Sequence, residues 1–161
     1  MDPRPYFHLS FRPNIRLVST VRRFTDEFYR RVLAEQEVSA RLALATHELL
    51  ENAVAYATDG ETAIRIELHE EKLVVKTWNR TTPDRLAAVR DMIDEINRTA
   101  DADDYYQTQL LKTARRTDGS GLGLARIRAE ALMTLGYEID HDQLCILATT
   151  PIQLAPPAGA S

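Results

Sequence analysis

The sequence predicts an α+β fold: a two-layer sandwich in which a mixed, mostly antiparallel sheet is covered by helices on one face. Three observations lead there. Segments alternating every second residue stand near the start, the middle and the end of the chain, as half-buried strands require. The stretches between them carry apolar residues every three or four positions, the helical period. No internal repeat or interdomain linker interrupts the run, and 161 residues suit a single core, so both kinds of element must share it. Residues 1–150 are expected to form that one domain, with 151–161 a flexible C-terminal tail.

"YFHLSF" alternates as a first strand and ends at Arg12-Pro13. Asn14 is expected to cap a helix of about six turns whose inward stripe is Leu17, Val21, Phe24, Phe28 and Val32. Ser39 is expected to open a second helix, with Leu42, Ala45, Leu49, Ala53 and Tyr56 inward, that stops near Asp59-Gly60. "TAIRIELHEEKLVVKTW" reads as a hairpin, because Ile64, Ile66 and Leu68 alternate with Arg65 and Glu67 and Leu73 to Trp78 returns. After "NRTTPD" the spacing of Leu86, Val89, Ile93 and Ile96 predicts a third helix; a shorter one through Tyr106, Leu110 and Leu111 follows the acidic break "DADD". A glycine loop then leads into a helix from about Leu122 to Leu135, stopped by Gly136, and "YEIDHDQLCILATT" forms two final strands around an Asp-rich turn.

Composition narrows the function. A net charge of -4 argues against a nucleic-acid partner, since phosphate binding relies on a surplus of Lys and Arg across a face. No run of about 18 apolar residues and no leader-like start is present, so neither a membrane role nor export is expected, and the chain is read as cytoplasmic. Its one cysteine, Cys145, lies in the apolar run "LCILA" and is read as a buried residue rather than a reactive thiol.

"TDGSGLGLARI" holds three of the chain's six glycines within five positions and runs into a helix. Bare peptide N–H groups at a helix start bind anions, because the first-turn donors are unpaired and the helix dipole adds partial positive charge. Gly119, Gly121 and Gly123 suit that task, although a plain connection before a helix would read similarly. A P-loop is excluded because no Lys-Ser/Thr follows, and a dinucleotide fingerprint because Leu124 stands at its third glycine.

The second feature is a polar pair. Glu48 and Asn52 are four residues apart, so they lie within about 40° of each other on a helix, flanking its apolar stripe. A carboxylate there can take a proton from an attacking hydroxyl, and an amide oxygen is a neutral hard ligand suited to Mg²⁺. The bland alternative is a pair facing water. Lys112, Arg115 and Arg116 before the loop, and Arg126 and Arg128 after it, add positive charge that could balance a phosphate.

These residues carry a resemblance. "HELLENAVAYA" looks like the N box (Glu-x-x-x-Asn on a helix) and "DGSGLGLA" like the second glycine box of the histidine-kinase-like ATPases, the superfamily that includes gyrase, MutL and histidine kinases. The resemblance implies a Bergerat-type sandwich binding ATP and Mg²⁺, with Asn52 on the metal, Glu48 as general base, and Gly119, Gly121, Leu122 and Gly123 along the triphosphate. Within the superfamily the chain is most similar to the stand-alone serine kinases of bacterial partner-switching systems, the anti-sigma-factor and SiaB-like kinases. That implies phosphorylation of a small STAS-like antagonist protein, a sigma factor or phosphatase as further partners, and homodimers by analogy.

Where the superfamily carries Asp-x-Gly-x-Gly for adenine, this chain has "NRTTP". Asn79 can still accept a hydrogen bond from the amino group, but Thr81 and Pro83 replace both glycines. Thr149 in the last strand stands where the superfamily often places a threonine near adenine. A second function therefore stays open: a catalytically degenerate module of the same fold that sequesters a sigma factor or antagonist without using ATP. His47 beside Glu48 imitates a phosphoacceptor His-Glu but falls about 100° away around the helix and is read as a solvated surface residue.

Overall fold

The structure, a computed structural model, describes residues 6–113 and 122–153. In these it has strands β1 (Tyr6–Phe11), β2 (Thr62–Leu68), β3 (Lys72–Arg80), β4 (Thr134–Asp140) and β5 (Gln143–Pro151). Its helices are α1 (Arg16–Val32), α2 (Gln36–Ala55), α3 (Pro83–Arg98), α4 (Ala102–Thr113) and α5 (Leu122–Ala129). The strands form one sheet ordered β1-β2-β3-β5-β4, and every pairing is antiparallel, so the expected mixed sheet is wholly antiparallel among the described residues.

The pleat sorts side chains onto two faces. Ile64 and Ile66 of β2, Leu73 and Val75 of β3, and Leu144, Ile146 and Ala148 of β5 point to one face and join the core with Leu42 and Leu49 of α2, Ile93 of α3 and Ile127 of α5. Each such buried Val, Leu or Ile side chain contributes roughly 1.5–3 kcal/mol relative to exposure. The opposite face carries His8, Arg65, Glu67, Lys76 and Trp78, which gives the helices-on-one-face arrangement.

Four boundaries differ from the sequence reading. α1 has 17 residues, and its buried stripe is Val18, Val21, Thr25 and Tyr29, while Phe24 is 45% exposed and lies against Phe7 and Phe28. Asn14 does receive the Arg16 N–H on Oδ1 at 3.0 Å, just ahead of the helix. α2 starts at Gln36, so Ser39 is no cap: it is buried inside the helix, and its hydroxyl donates to the Asp26 carbonyl at 2.9 Å. The same helix ends at Ala55, ahead of Gly60, which takes φ +74 in the following turn.

The fourth difference is the largest. α5 ends at Ala129, and Gly136 lies within β4, paired with Leu147. The reversal falls instead on Leu132, which takes φ +55, with the Met133 N–H reaching the Ile127 carbonyl at 3.4 Å. At the C-terminal end, Pro151 closes β5 and Ile152 is buried, its N–H bonded to the Glu71 carbonyl at 3.0 Å. Residues 151–153 thus belong to the folded body, while the rest of the expected tail, 154–161, lies outside the described residues.

Candidate functional site

Helix α2 is nearly surrounded, with Leu42, Ala45, Leu49 and Ala53 at the core and Thr46 and Leu50 buried as well. A helix enclosed in this way leaves little of its surface free, and Glu48 and Asn52 occupy part of that margin. The Glu48 side chain is 12% exposed. Asn52 is half-buried, and its amide makes no side-chain hydrogen bond among the described residues. An amide oxygen at a rim, uncommitted to protein donors, remains available as a ligand.

Helix α5 meets α2 at Glu48. A Cβ on Gly123 would stand 2.5 Å from Glu48 Oε2, closer than real Cβ atoms come, so with any other residue here the Glu48 carboxylate would have to shift. Leu122 begins the helix and is half-buried. Gly119 and Gly121, with Arg115 and Arg116, lie outside the described residues. The juxtaposition of the helix start with the Glu48 carboxylate therefore rests on Gly123.

One turn further along α5, Arg126 Nη1 donates to Glu48 Oε1 at 3.0 Å, and Arg126 Nε donates to Glu130 Oε2 at 2.7 Å. The hydrogen bond to Glu130 raises the guanidinium pKa; burial opposes this, and the bond and charge of Glu48 add to it. Tyr106 of α4 shares this field: burial raises its phenol pKa, the charges of Glu130 and Glu48 push the same way, and Arg126 opposes them.

The other end of the α2 margin is tied to the exit of β3. Thr81 is buried, and its hydroxyl donates to the Tyr56 carbonyl at 2.9 Å. The Arg85 guanidinium lies 3.4 Å over the Tyr56 ring, a cation–π contact, and burial lowers its pKa. Asn79 is buried on the helix-facing side of β3, and its Nδ2 donates to the Arg80 carbonyl at 3.3 Å. Its Oδ1 has no partner among the described residues. Glu48, Asn52 and Tyr56 follow one another at intervals of four, a span of about 12 Å along the helix.

Thr149 is not part of this site. It pairs with Val74 and Thr134 on the face of the sheet away from the helices, five residues along β5 from the Leu144 position that faces Asn79. The alternation of β5 decides this, because Leu144, Ile146 and Ala148 take the core face. His47 is only partly solvated: its side chain is 26% exposed, Nε2 lies 3.5 Å from Glu51 Oε2, and Nδ1 is buried with no hydrogen-bond partner among the described residues. Sequence reasoning missed three features: Arg126 as the partner of Glu48, Tyr106 beside them, and the Arg85–Tyr56 stack. The only local signal was the Arg126–Glu130 spacing of four, since Glu48 and Arg126 are 78 positions apart.

Against this geometry, a family model described as the histidine kinase-like ATPase domain matches residues 11–145. Among solved structures the chain is similar to one in the SiaB–SiaC complex from Pseudomonas aeruginosa, with a TM-score of 0.68 and 15% identity, covering 89% of this chain and 88% of that one. It also aligns with the catalytic domain of the histidine kinase ThkA at a TM-score of 0.41 and 18% identity, over 92% and 99% of the two chains. No curated protein matches it significantly.

Proposed function

This chain belongs to the histidine kinase-like ATPase domain family, and on that premise we propose that it is a Mg-ATP-dependent serine/threonine protein kinase of a bacterial partner-switching system, acting on a small STAS-like antagonist protein. The observation that carries the reading is the Glu48 carboxylate set against Gly123, with the uncommitted Asn52 amide one turn further along α2. Glu48 takes the proton from the acceptor hydroxyl as that oxygen bonds to the γ-phosphorus. The bond from this phosphorus to the β–γ bridging oxygen breaks, and ADP leaves. The backbone N–H groups of Gly119, Gly121, Leu122 and Gly123 hold the triphosphate, and the Asn79 Oδ1 accepts from the base. Asn52 would hold the metal ion, and Mg²⁺ there would supply charge neutralisation on the phosphates.

A protein partner is supported by the SiaB neighbour, whose structure is that of a complex with SiaC. A sigma factor or phosphatase as further partner, a homodimer and a cytoplasmic location belong to the same proposal. One observation favours a second reading, the degenerate binding module: Thr81 spends its hydroxyl on Tyr56, and Pro83 starts α3, where the superfamily has glycines near the base. Calorimetry with ATP and Mg²⁺ tests the two. The kinase binds ATP, keeps binding it as Glu48→Ala while losing transfer, and loses affinity as Asn52→Ala. A wild-type protein giving no binding heat at millimolar Mg²⁺ is the module instead.

A further inference from the structure

The Arg126 guanidinium bridges two carboxylates through different nitrogens, Nη1 to Glu48 and Nε to Glu130. The group is planar and rigid, so holding one edge on Glu130 fixes the direction of the other. Glu130 lies one turn away on the same helix and anchors Arg126 locally; Glu48 belongs to α2, across the junction. The contact engages only Oε1 of Glu48. Its Oε2 lies against the position of Gly123 and receives no hydrogen bond among the described residues. A carboxylate held by one oxygen and flanked by bare backbone at the other has one orientation and one free acceptor.

We propose that Arg126, itself held by Glu130, is a positioning residue for Glu48: it fixes the carboxylate by Oε1 and leaves Oε2 as the oxygen that takes the acceptor proton. This rests on the kinase reading, in which Glu48 is the base. A bridge that merely joined α2 to α5 would affect stability and leave the chemical step alone. A positioning bridge does the reverse, because Arg126 is itself 39% exposed and little core depends on it.

The test uses the full chain with Mg-ATP alone, reading ADP formation with water as acceptor, ATP affinity by calorimetry and thermal melting. Arg126→Gln is expected to slow ADP formation ~100-fold, the scale on which a misplacement of about 1 Å acts, with ATP affinity changed by no more than about twofold. Glu130→Gln is expected to fall between wild type and Arg126→Gln, and Arg126→Lys to restore part of the rate because an ammonium keeps the charge without the fork. Should Arg126→Gln keep the wild-type rate while Glu48→Gln is inactive, the inference fails and the kinase reading stands. If Glu48→Gln is as fast as wild type, the kinase reading fails first and the inference with it. A loss in Arg126→Gln that tracks a collapse in melting temperature, without rescue by lysine, also overturns it.

Discussion

Replacing Gly123 by alanine separates the stability of the α2–α5 junction from its chemistry. The added Cβ would stand 2.5 Å from Glu48 Oε2, whereas ordinary contact begins at 3.4 Å. The carboxylate must therefore retreat by about 0.9 Å. Its other oxygen is held by Arg126 at 3.0 Å, so the retreat stretches or breaks that bond. Overpacking costs about 1–3 kcal/mol, and the low end applies because the strain falls on the tip of a side chain. Alanine in a helix returns about 1 kcal/mol relative to glycine. The two nearly cancel, and the melting temperature should move by less than about 4 °C. A carboxylate displaced on this scale should lose ~100-fold in rate. The assay pairs thermal melting with ADP formation from Mg-ATP. A Gly123→Ala protein with wild-type rate and wild-type melting would refute the reasoning, because the carboxylate would not then depend on the contact drawn here.

Three further outcomes are expected. Burial alone would raise the Glu67 carboxyl, but hydrogen bonds from Lys76 and His69 and the charges of Lys76 and Arg65 outweigh it and hold its pKa below the ordinary value. A folded pKa so lowered adds stability above the ordinary value of 4.5 that is lost as pH falls through the folded one, so Glu67→Gln should flatten the acid side of a urea-midpoint profile. Burial pushes the Cys145 thiol up to about 12, aided by Glu138 and Glu67 against Lys76. At pH 8 about one thiol in ten thousand is then ionised, and a colorimetric disulfide reagent should react only when the protein is unfolded. Leu132 holds φ +55 while 58% exposed, so Leu132→Gly should raise the unfolding free energy by about 0.5–1 kcal/mol, the αL strain relieved less the entropy glycine adds to the unfolded chain, in urea titration.

Elements with a clean local period were legible. β2 and β3 follow their alternation, and Leu42, Ala45, Leu49 and Ala53 sit where a period of 3.6 puts them. The helix ends were less so, because caps are local chemistry that tertiary contacts override: Ser39 resembles a cap but bonds to Asp26, 13 residues away. Gly136 has the look of a helix stop, yet a leucine makes the reversal. That Glu48 and Asn52 share one helix, and that a helix begins at Leu122, was readable from the sequence. The closeness of Gly123 to Glu48 and the partnership with Arg126 were not, since both join residues separated by more than 70 positions. Thr149 was misplaced because a one-residue shift of register moves a side chain to the other side of a sheet.

The strand order has a consequence for how the molecule comes into being on the ribosome. β5, the last strand to be synthesised among those described, fills the gap between β3 and β4, and β4 has no other neighbour in the sheet. Until β5 emerges, β3 has only β2 beside it and β4 has nothing to pair with, although all five described helices are already made. Nascent chains shorter than this strand present an unpaired β3 edge and are thus candidates for chaperone capture.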